Sequence, residues 1–235
     1  KGGGYFEANK QYIAPLPIPD ATDEQKAEVG RRAEELQKLH TARRDTVALL
    51  ERRLDSDQCV DDRRAERWLW ADIESKADWK HKAPENLSAR EKTAWAKAQY
   101  ASRLEAHLEK IQSVLSPGIA FSVQEESGEV RFLAGPVPLV TVYVDTREAA
   151  FLAAQWRQVA RTTHVTDKFR AKTLVKSLLS LRTTDNIALR DQVVEIDNDI
   201  LTLDADIEKA EHEMNALVYR LYNLTDDEIR LVEAG

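Results

Sequence analysis

The chain has 235 residues, of which 43% are hydrophobic and 32% charged, and its formal net charge is −7. That composition is globular rather than disordered, and with no run of about 18 apolar residues a helical membrane span is excluded. The single cysteine, Cys59, excludes an internal disulfide and a thiolate-built zinc site.

The opening KGGGYFEANKQ has no apolar core of the export-signal kind, so a reducing, cytoplasmic compartment is expected. Lys1 stands where Met would, and glycines follow at once, so we expect a piece cut from something larger. Pro15, Pro17 and Pro19 alternate along residues 11–19. Each lacks an amide donor and pushes its predecessor toward extended geometry, which predicts a connector or edge strand.

Thr22 and Gln25 form a capping-box pattern, which predicts a helix running to about Leu54. Its apolar stripe is Val29, Ala33, Leu36, Leu39, Val47, Leu50 and Leu54, with a polar gap at Arg43 and Arg44. Asp61–His81, with Trp68, Trp70 and Trp79 among charges, reads as helical. Ser88 and Glu91 make a second box, opening a helix with Ala101, Leu104, Leu108, Ile111 and Leu115 on one face and a stop at Pro117-Gly118. The segments IAFSVQE and EVRFLA flank Ser127-Gly128, a β-hairpin pattern near 119–134, and LVTVYV at 139–144 reads as a third strand. Asp145 caps a helix with Glu148 at its third position. Helical stretches are predicted to about Ala160 and again from Thr166 to Leu181.

The clearest periodicity follows. Leu189, Val193, Ile196, Ile200, Leu203, Ile207, Ala210, Met214, Leu217 and Leu221 recur at alternating spacings of four and three. That is a coiled-coil seam. A helix from Ile187 to Leu221 would be roughly 52 Å long and cannot stand in water with the seam exposed. Its partner is either the 23–54 helix of the same chain, running antiparallel, or a second copy. Thr225 and Glu228 then cap a last short helix with Ile229, Leu231 and Val232.

The fold expected is therefore mainly α with a small antiparallel β element, an α+β chain. A long antiparallel coiled-coil helical hairpin of 20–54 with 186–222 carries an inserted α+β subdomain, 55–185, and 225–235 is a short terminal helix.

Charge is distributed unevenly. Residues 157–182 carry Arg157, Arg161, Lys168, Arg170, Lys172, Lys176 and Arg182 against Asp167 alone, while residues 183–235 have a net charge of −10. The basic block is either a solvated face that pairs with the acidic segment or a patch that contacts phosphates. Lys10 is a further cation of the opening segment.

No catalytic constellation converges. The run Gly2–Gly4 lacks the Lys-Ser/Thr of a phosphate loop. Glu211-His212-Glu213 is not a metalloprotease pair and reads as a solvated face. Asp197, Asp199, Asp204 and Asp206 spread round a helix without a calcium-loop glycine and read as its solubilising face. Cys59 has no adjacent histidine, and His164 reads as a loop residue. Trp68, Trp79, Trp95 and Trp156 read as core rather than as a platform for stacking bases.

Two segments resemble a known family. YFEANKQYIAPLPIP is similar to the closing stretch of the TaqI-like specificity domain of adenine-specific DNA methyltransferases, notably the fused restriction-modification enzymes of type IIG. The matching residues are Phe6, Lys10, Tyr12 and Leu16-Pro17-Ile18-Pro19. MNALVYRLYNLTDDEIRLVE resembles the terminal signature of the same enzymes through Asn215, Leu217, Val218, Tyr219, Leu221, Tyr222, Leu224, Thr225, Glu228 and Ile229.

The resemblance implies a parent enzyme that binds S-adenosylmethionine and methylates a flipped adenine, with a specificity domain that grips double-stranded DNA and helices that brace the parts. The catalytic Asn-Pro-Pro-Tyr/Phe motif and the Gly-rich cofactor motif are absent from this chain. The expectation is a non-catalytic specificity and bracing region of a prokaryotic enzyme. It would have no cofactor or metal of its own, and its partners would be the methyltransferase domain of the same polypeptide and DNA. Residues 1–19 would be the extended end of the specificity domain. DNA contacts would run through Lys10, Arg157, Arg161, Lys168, Arg170, Lys172, Lys176 and Arg182. The competing reading is a coiled-coil protein–protein adapter with no DNA role.

Overall fold

The computed structural model describes residues 19–62 and 76–234. The segment carrying Lys10, Phe6, Tyr12, Pro15 and Pro17, and the positions of Trp68 and Trp70, lie outside the described residues. The chain is mostly helical with a small antiparallel sheet, and no described helix is long and apolar enough to cross a membrane. It divides into two compact units. One comprises residues 48–198; the other comprises residues up to 47 together with those from 199 onward.

Helix α1 spans Asp23–Leu54. Its start is set by the Thr22 box: Gln25 N donates to Thr22 Oγ1 at 3.2 Å, and Thr22 N donates to Gln25 Oε1 at 2.9 Å. The half-buried positions differ from the apolar stripe in the sequence. Ala33 is exposed, whereas Arg32 and Arg43 are half-buried among Val29, Leu36, Leu39 and Val47. The polar gap is thus part of the covered face, because each arginine has an acid opposite it. Arg32 pairs with Glu213 and Arg43 with Asp204, while His40 Nε2 lies 3.3 Å from Glu211. Partners rise in number along α1 as they fall along the acidic helix, so within this unit the two segments run in opposite directions.

The first unit, residues 48–198, holds the main core. After the short strand β1 (Val60–Asp61) and helix α2 (Lys76–His81) comes helix α3 (Ala89–Val114). Ser88 and Glu91 form the expected reciprocal cap at its start. Of the predicted α3 face, Ile111 is buried and Leu104, Leu108 and Leu115 are half-buried, but Ala101 is exposed.

Strands β2 (Phe121–Glu126), β3 (Glu129–Ala134) and β4 (Val137–Tyr143) form a three-stranded antiparallel sheet in the order β2-β3-β4. Phe121 faces Ala134 and Glu126 faces Glu129 across the first pair. The two-residue turn has both central residues at positive φ, Ser127 at 51° and Gly128 at 93°. This is the mirror-image turn that suits hairpin twist. Gly128 is required for a second reason: a Cβ there would lie 2.5 Å from the Val144 carbonyl oxygen. β4 starts two residues before the apolar run that predicts it, taking in Pro138, and the register shifts between Phe132 and Leu133.

Helix α4 (Thr146–Thr162) packs across β2 and β3, and helix α5 (Ala171–Leu179) packs against α3 and α4. Asp145 caps α4 by accepting from Arg147 N at 3.0 Å. Trp156 is fully buried, meets Phe132 edge-on at 6.2 Å between ring centroids, and donates from Nε1 to the Leu178 carbonyl at 3.2 Å. A buried indole needs such an acceptor. Val130, Val140, Leu152 and Leu174 complete the centre.

Two sequence readings are corrected here. Asp61 belongs to a strand rather than a helix, because Val60–Asp61 pairs with β5 (Arg182–Thr183) and Asp62 N donates to the Leu181 carbonyl at 2.8 Å. Residues 166–170 are a turn rather than the start of a helix, so Lys168 lies outside α5.

Helix α6 spans Ile187–Leu221, and α7 spans Asp226–Ala234 behind the Thr225 cap. Every residue of the ten-position seam on α6 is buried or half-buried, with Val193 and Ile200 at 0% exposure. On α7, Leu231 and Val232 are exposed at 74% and 58%.

Candidate nucleic-acid interface

The basic block separates into two sets of side chains with different surroundings. Arg157 and Arg161 lie one turn apart on α4, and both reach Asp197 on α6. Arg157 Nη1 donates to Oδ2 at 2.6 Å and Arg161 Nη1 to Oδ1 at 2.9 Å. The carboxylate is 1% exposed, and the two guanidinium side chains are 20% and 13% exposed. This corrects the reading of Asp197 as part of a solubilising face: a buried carboxylate is tolerable only when paired and hydrogen-bonded. Asp204 is likewise engaged, by Arg43, whereas Asp199 and Asp206 are exposed. Among the described residues, no group of three His, Cys, Asp or Glu side chains could hold a metal ion.

Arg182 is also committed within the fold. The side-chain amide of Gln155 fixes its backbone: Oε1 accepts from Arg182 N at 2.7 Å and Nε2 donates to the Arg182 carbonyl at 3.1 Å. The Arg182 guanidinium then donates to the carbonyls of Cys59 at 2.9 Å and Leu54 at 3.3 Å and to Asp61 Oδ1 at 2.8 Å. It closes the strand pair β1–β5. Cys59 is buried beside it, and burial raises its thiol pKa against the opposing pull of Arg182.

The second set is Lys168, Arg170, Lys172 and Lys176. All four are exposed. Among the described residues, none of the three lysines takes part in an ion pair. Arg170 Nη1 donates to the carbonyls of Asp167 and Phe169 at 3.3 and 3.2 Å, which folds it back along its own turn. Lys172 and Lys176 lie on α5 at i, i+4 spacing and so share one face. Lys168 stands in the turn before it. His164 is exposed in the same loop. Lys10, the remaining residue in the sequence-based set, lies outside the described residues.

The loop that presents these cations is held by a residue with no chemical motif around it. Gln112 on α3 accepts from Ala171 N through Oε1 at 2.8 Å and donates from Nε2 to the Phe169 carbonyl at 3.4 Å. Its amide thus supplies the first-turn acceptor that Arg170 does not provide as N-cap. This also explains why the helix begins at Ala171. The signal in the sequence is a polar residue beside the Leu108, Ile111 and Leu115 stripe, where an apolar one would pack.

What the second set can do is limited and definite. Exposed ammonium and guanidinium groups on a fixed helix-and-turn scaffold can neutralise phosphates, but they carry no donor–acceptor code for bases. Neither a protein-family model, nor a curated protein, nor a solved structure matches this chain.

Proposed function

We propose that this chain is the non-catalytic, C-terminal specificity and bracing region of an adenine-N6 DNA methyltransferase or fused restriction-modification enzyme of a prokaryotic cytoplasm. The observation that carries its DNA role is the run Lys168, Arg170, Lys172 and Lys176, exposed and fixed by Gln112. The bracing role draws on the reversed ion pairs Arg32–Glu213 and Arg43–Asp204. In this reading α1 and α6 pair as an antiparallel coiled coil, with residues 55–185 inserted between them in the chain as an α+β subdomain. The family signature over Asn215–Ile229 closes α6 and opens α7. S-adenosylmethionine belongs to the parent enzyme, and the chain itself contributes neither cofactor site nor catalytic residue.

The exposed Leu231 and Val232 of α7 suit contact with the methyltransferase domain of the same polypeptide. They would equally serve an adapter that binds protein and never DNA.

Duplex binding measured against salt separates the two. Counterion release makes the logarithm of affinity fall linearly with the logarithm of salt, by about 0.9 per neutralised phosphate. Binding should be independent of sequence and weak, with Kd of roughly 10⁻⁴–10⁻⁶ M at physiological salt. Replacing Lys168, Lys172 and Lys176 together with Gln should flatten the slope by about three units. An unchanged slope would move the contact elsewhere, and indifference to DNA even at low salt would select the adapter.

A further inference from the structure

A cleft of about 690 Å³ lies in the unit of residues 48–198, walled by α2, α3 and the start of β4. Arg103, His107 and Lys110 line it at positions i, i+4 and i+7 of α3, which is one helix face. Trp79 of α2 lines it as well. Ile111, Val114 and Leu139 supply apolar surface. Among the described residues, three basic side chains and no carboxylate line the cleft. Among the described residues, neither Arg103 nor Lys110 is in an ion pair with a carboxylate. A concave, partly apolar wall carrying charge of one sign concentrates ligands of the opposite sign.

Trp79 gives the second indication. Its ring meets Trp95 edge-on at 5.9 Å and 66°, and the Arg103 guanidinium carbon lies 5.9 Å from its centroid. Its Nε1–H is buried and has no hydrogen-bond partner among the described residues. The fully buried indole of Trp156, by contrast, has its acceptor in the Leu178 carbonyl. A buried donor left without an acceptor is costly and rare, and a small turn of the half-buried indole toward the cleft would bring a ligand oxygen or ring nitrogen to it.

These features ask for a ligand with an anionic end, a flat body and hydrogen-bond acceptors on that body. We propose that the cleft binds a nucleoside monophosphate group. The phosphate would sit against Arg103 and Lys110, whose guanidinium and ammonium groups suit its oxygens. The base would lie against the apolar wall within reach of the Trp79 indole N–H. The group could be a free nucleotide or one nucleotide of a single strand, since both present the same chemistry. The site uses none of Lys168, Arg170, Lys172 or Lys176, so it stands or falls apart from duplex binding.

Calorimetric titration of the 235-residue chain tests it. The probes are adenosine monophosphate, adenosine, inorganic phosphate and a short single-stranded oligonucleotide. Adenosine monophosphate should bind saturably at one site, more tightly than adenosine or phosphate alone. Arg103→Gln with Lys110→Gln should weaken it about ten- to hundredfold, the effect of losing charge-assisted hydrogen bonds. Both side chains are surface-exposed, and an unchanged circular dichroism spectrum would verify folding. Oligonucleotide binding lost in the same variant assigns the site to a strand; binding of the mononucleotide alone assigns it to a free nucleotide. Either supports the proposal. No binding of mononucleotide or oligonucleotide overturns it. So does binding that survives the double substitution but is lost when Lys168, Lys172 and Lys176 become Gln.

Discussion

Arg161 and Asp197 are joined at 2.9 Å across 36 residues of sequence, and the carboxylate they share with Arg157 is 1% exposed. Two arginines of the most basic segment are thereby held by one acid of the most acidic segment, a cluster of net charge +1. Breaking a buried pair from the acid side leaves two guanidinium groups without their counter-charge. Asp197→Ala should therefore destabilise the fold by about 3–5 kcal/mol in urea unfolding. Replacing Arg157 or Arg161 by Gln should leave the salt slope of DNA binding unchanged in any variant that still folds. A slope that falls would show that these side chains reach phosphate after all.

Ile200 and Leu201 are adjacent on α6, at 0% and 39% exposure. Ile200→Asp would bury a carboxylate with no cation provided for it, and should cost several kcal/mol or unfold the helix pair. Leu201→Asp should stay within about 0.5 kcal/mol of the parent, as most surface substitutions do. Thermal melts of the two variants decide it. Equal melting temperatures would mean the seam is not covered.

Arg32 holds the Glu213 carboxyl below the usual carboxylate range, chiefly through its hydrogen bond. The caps act alike: Ser88 lowers Glu91, and Thr225 lowers Glu228. A carboxylate whose pKa is lower in the folded state binds fewer protons there than in the unfolded chain. Its contribution is present above the ordinary value of 4.5 and is lost as pH falls through the lowered one. Stability should thus decline in acid from about pH 4.5 downward, and Glu213→Gln should shrink that decline. Urea midpoints for parent and variant across that range give the comparison. An identical acid profile would remove Arg32–Glu213 as a contributor.

Gln112→Leu keeps the approximate size of the side chain but removes both hydrogen bonds to the loop before α5. Leaving the Ala171 N–H without its acceptor should cost about 1–3 kcal/mol. It should also speed amide exchange at Ala171 far more than at Leu178 in the middle of the unit's core. Uniform acceleration across the unit would instead mean general destabilisation.

S-adenosylmethionine titrated into the chain should give no heat of binding, because the cofactor and catalytic motifs of the resembled family are absent from the sequence. Micromolar binding would overturn the division of labour proposed for this chain.

Local chemistry made the ends and faces of the long helices legible. A capping box lies within four residues, and the α6 seam is a repeat that needs no knowledge of a partner, so Thr22, Ser88, Thr225 and the stripe from Leu189 to Leu221 could be read directly. The Ser127-Gly128 turn is local in the same way, since positive φ at two consecutive residues selects for such a pair. Features with distant partners could not be read. Arg32 and Arg43 look like breaks in an apolar stripe until Glu213 and Asp204 stand opposite them. Asp61 looks helical until Arg182 pairs with it, and α5 starts at Ala171 because Gln112 supplies an acceptor from 59 residues away. The basic block shows the same limit. Charge density along the sequence is identical for a phosphate patch and for an internal ion pair. Only the tertiary structure divides it, pairing the half-buried Arg157, Arg161 and Arg182 with their own chain and leaving Lys168, Arg170, Lys172 and Lys176 facing water. The physical reason is that a charge takes its role from its desolvation and its nearest counter-charge, and both are set by residues that the sequence places far away.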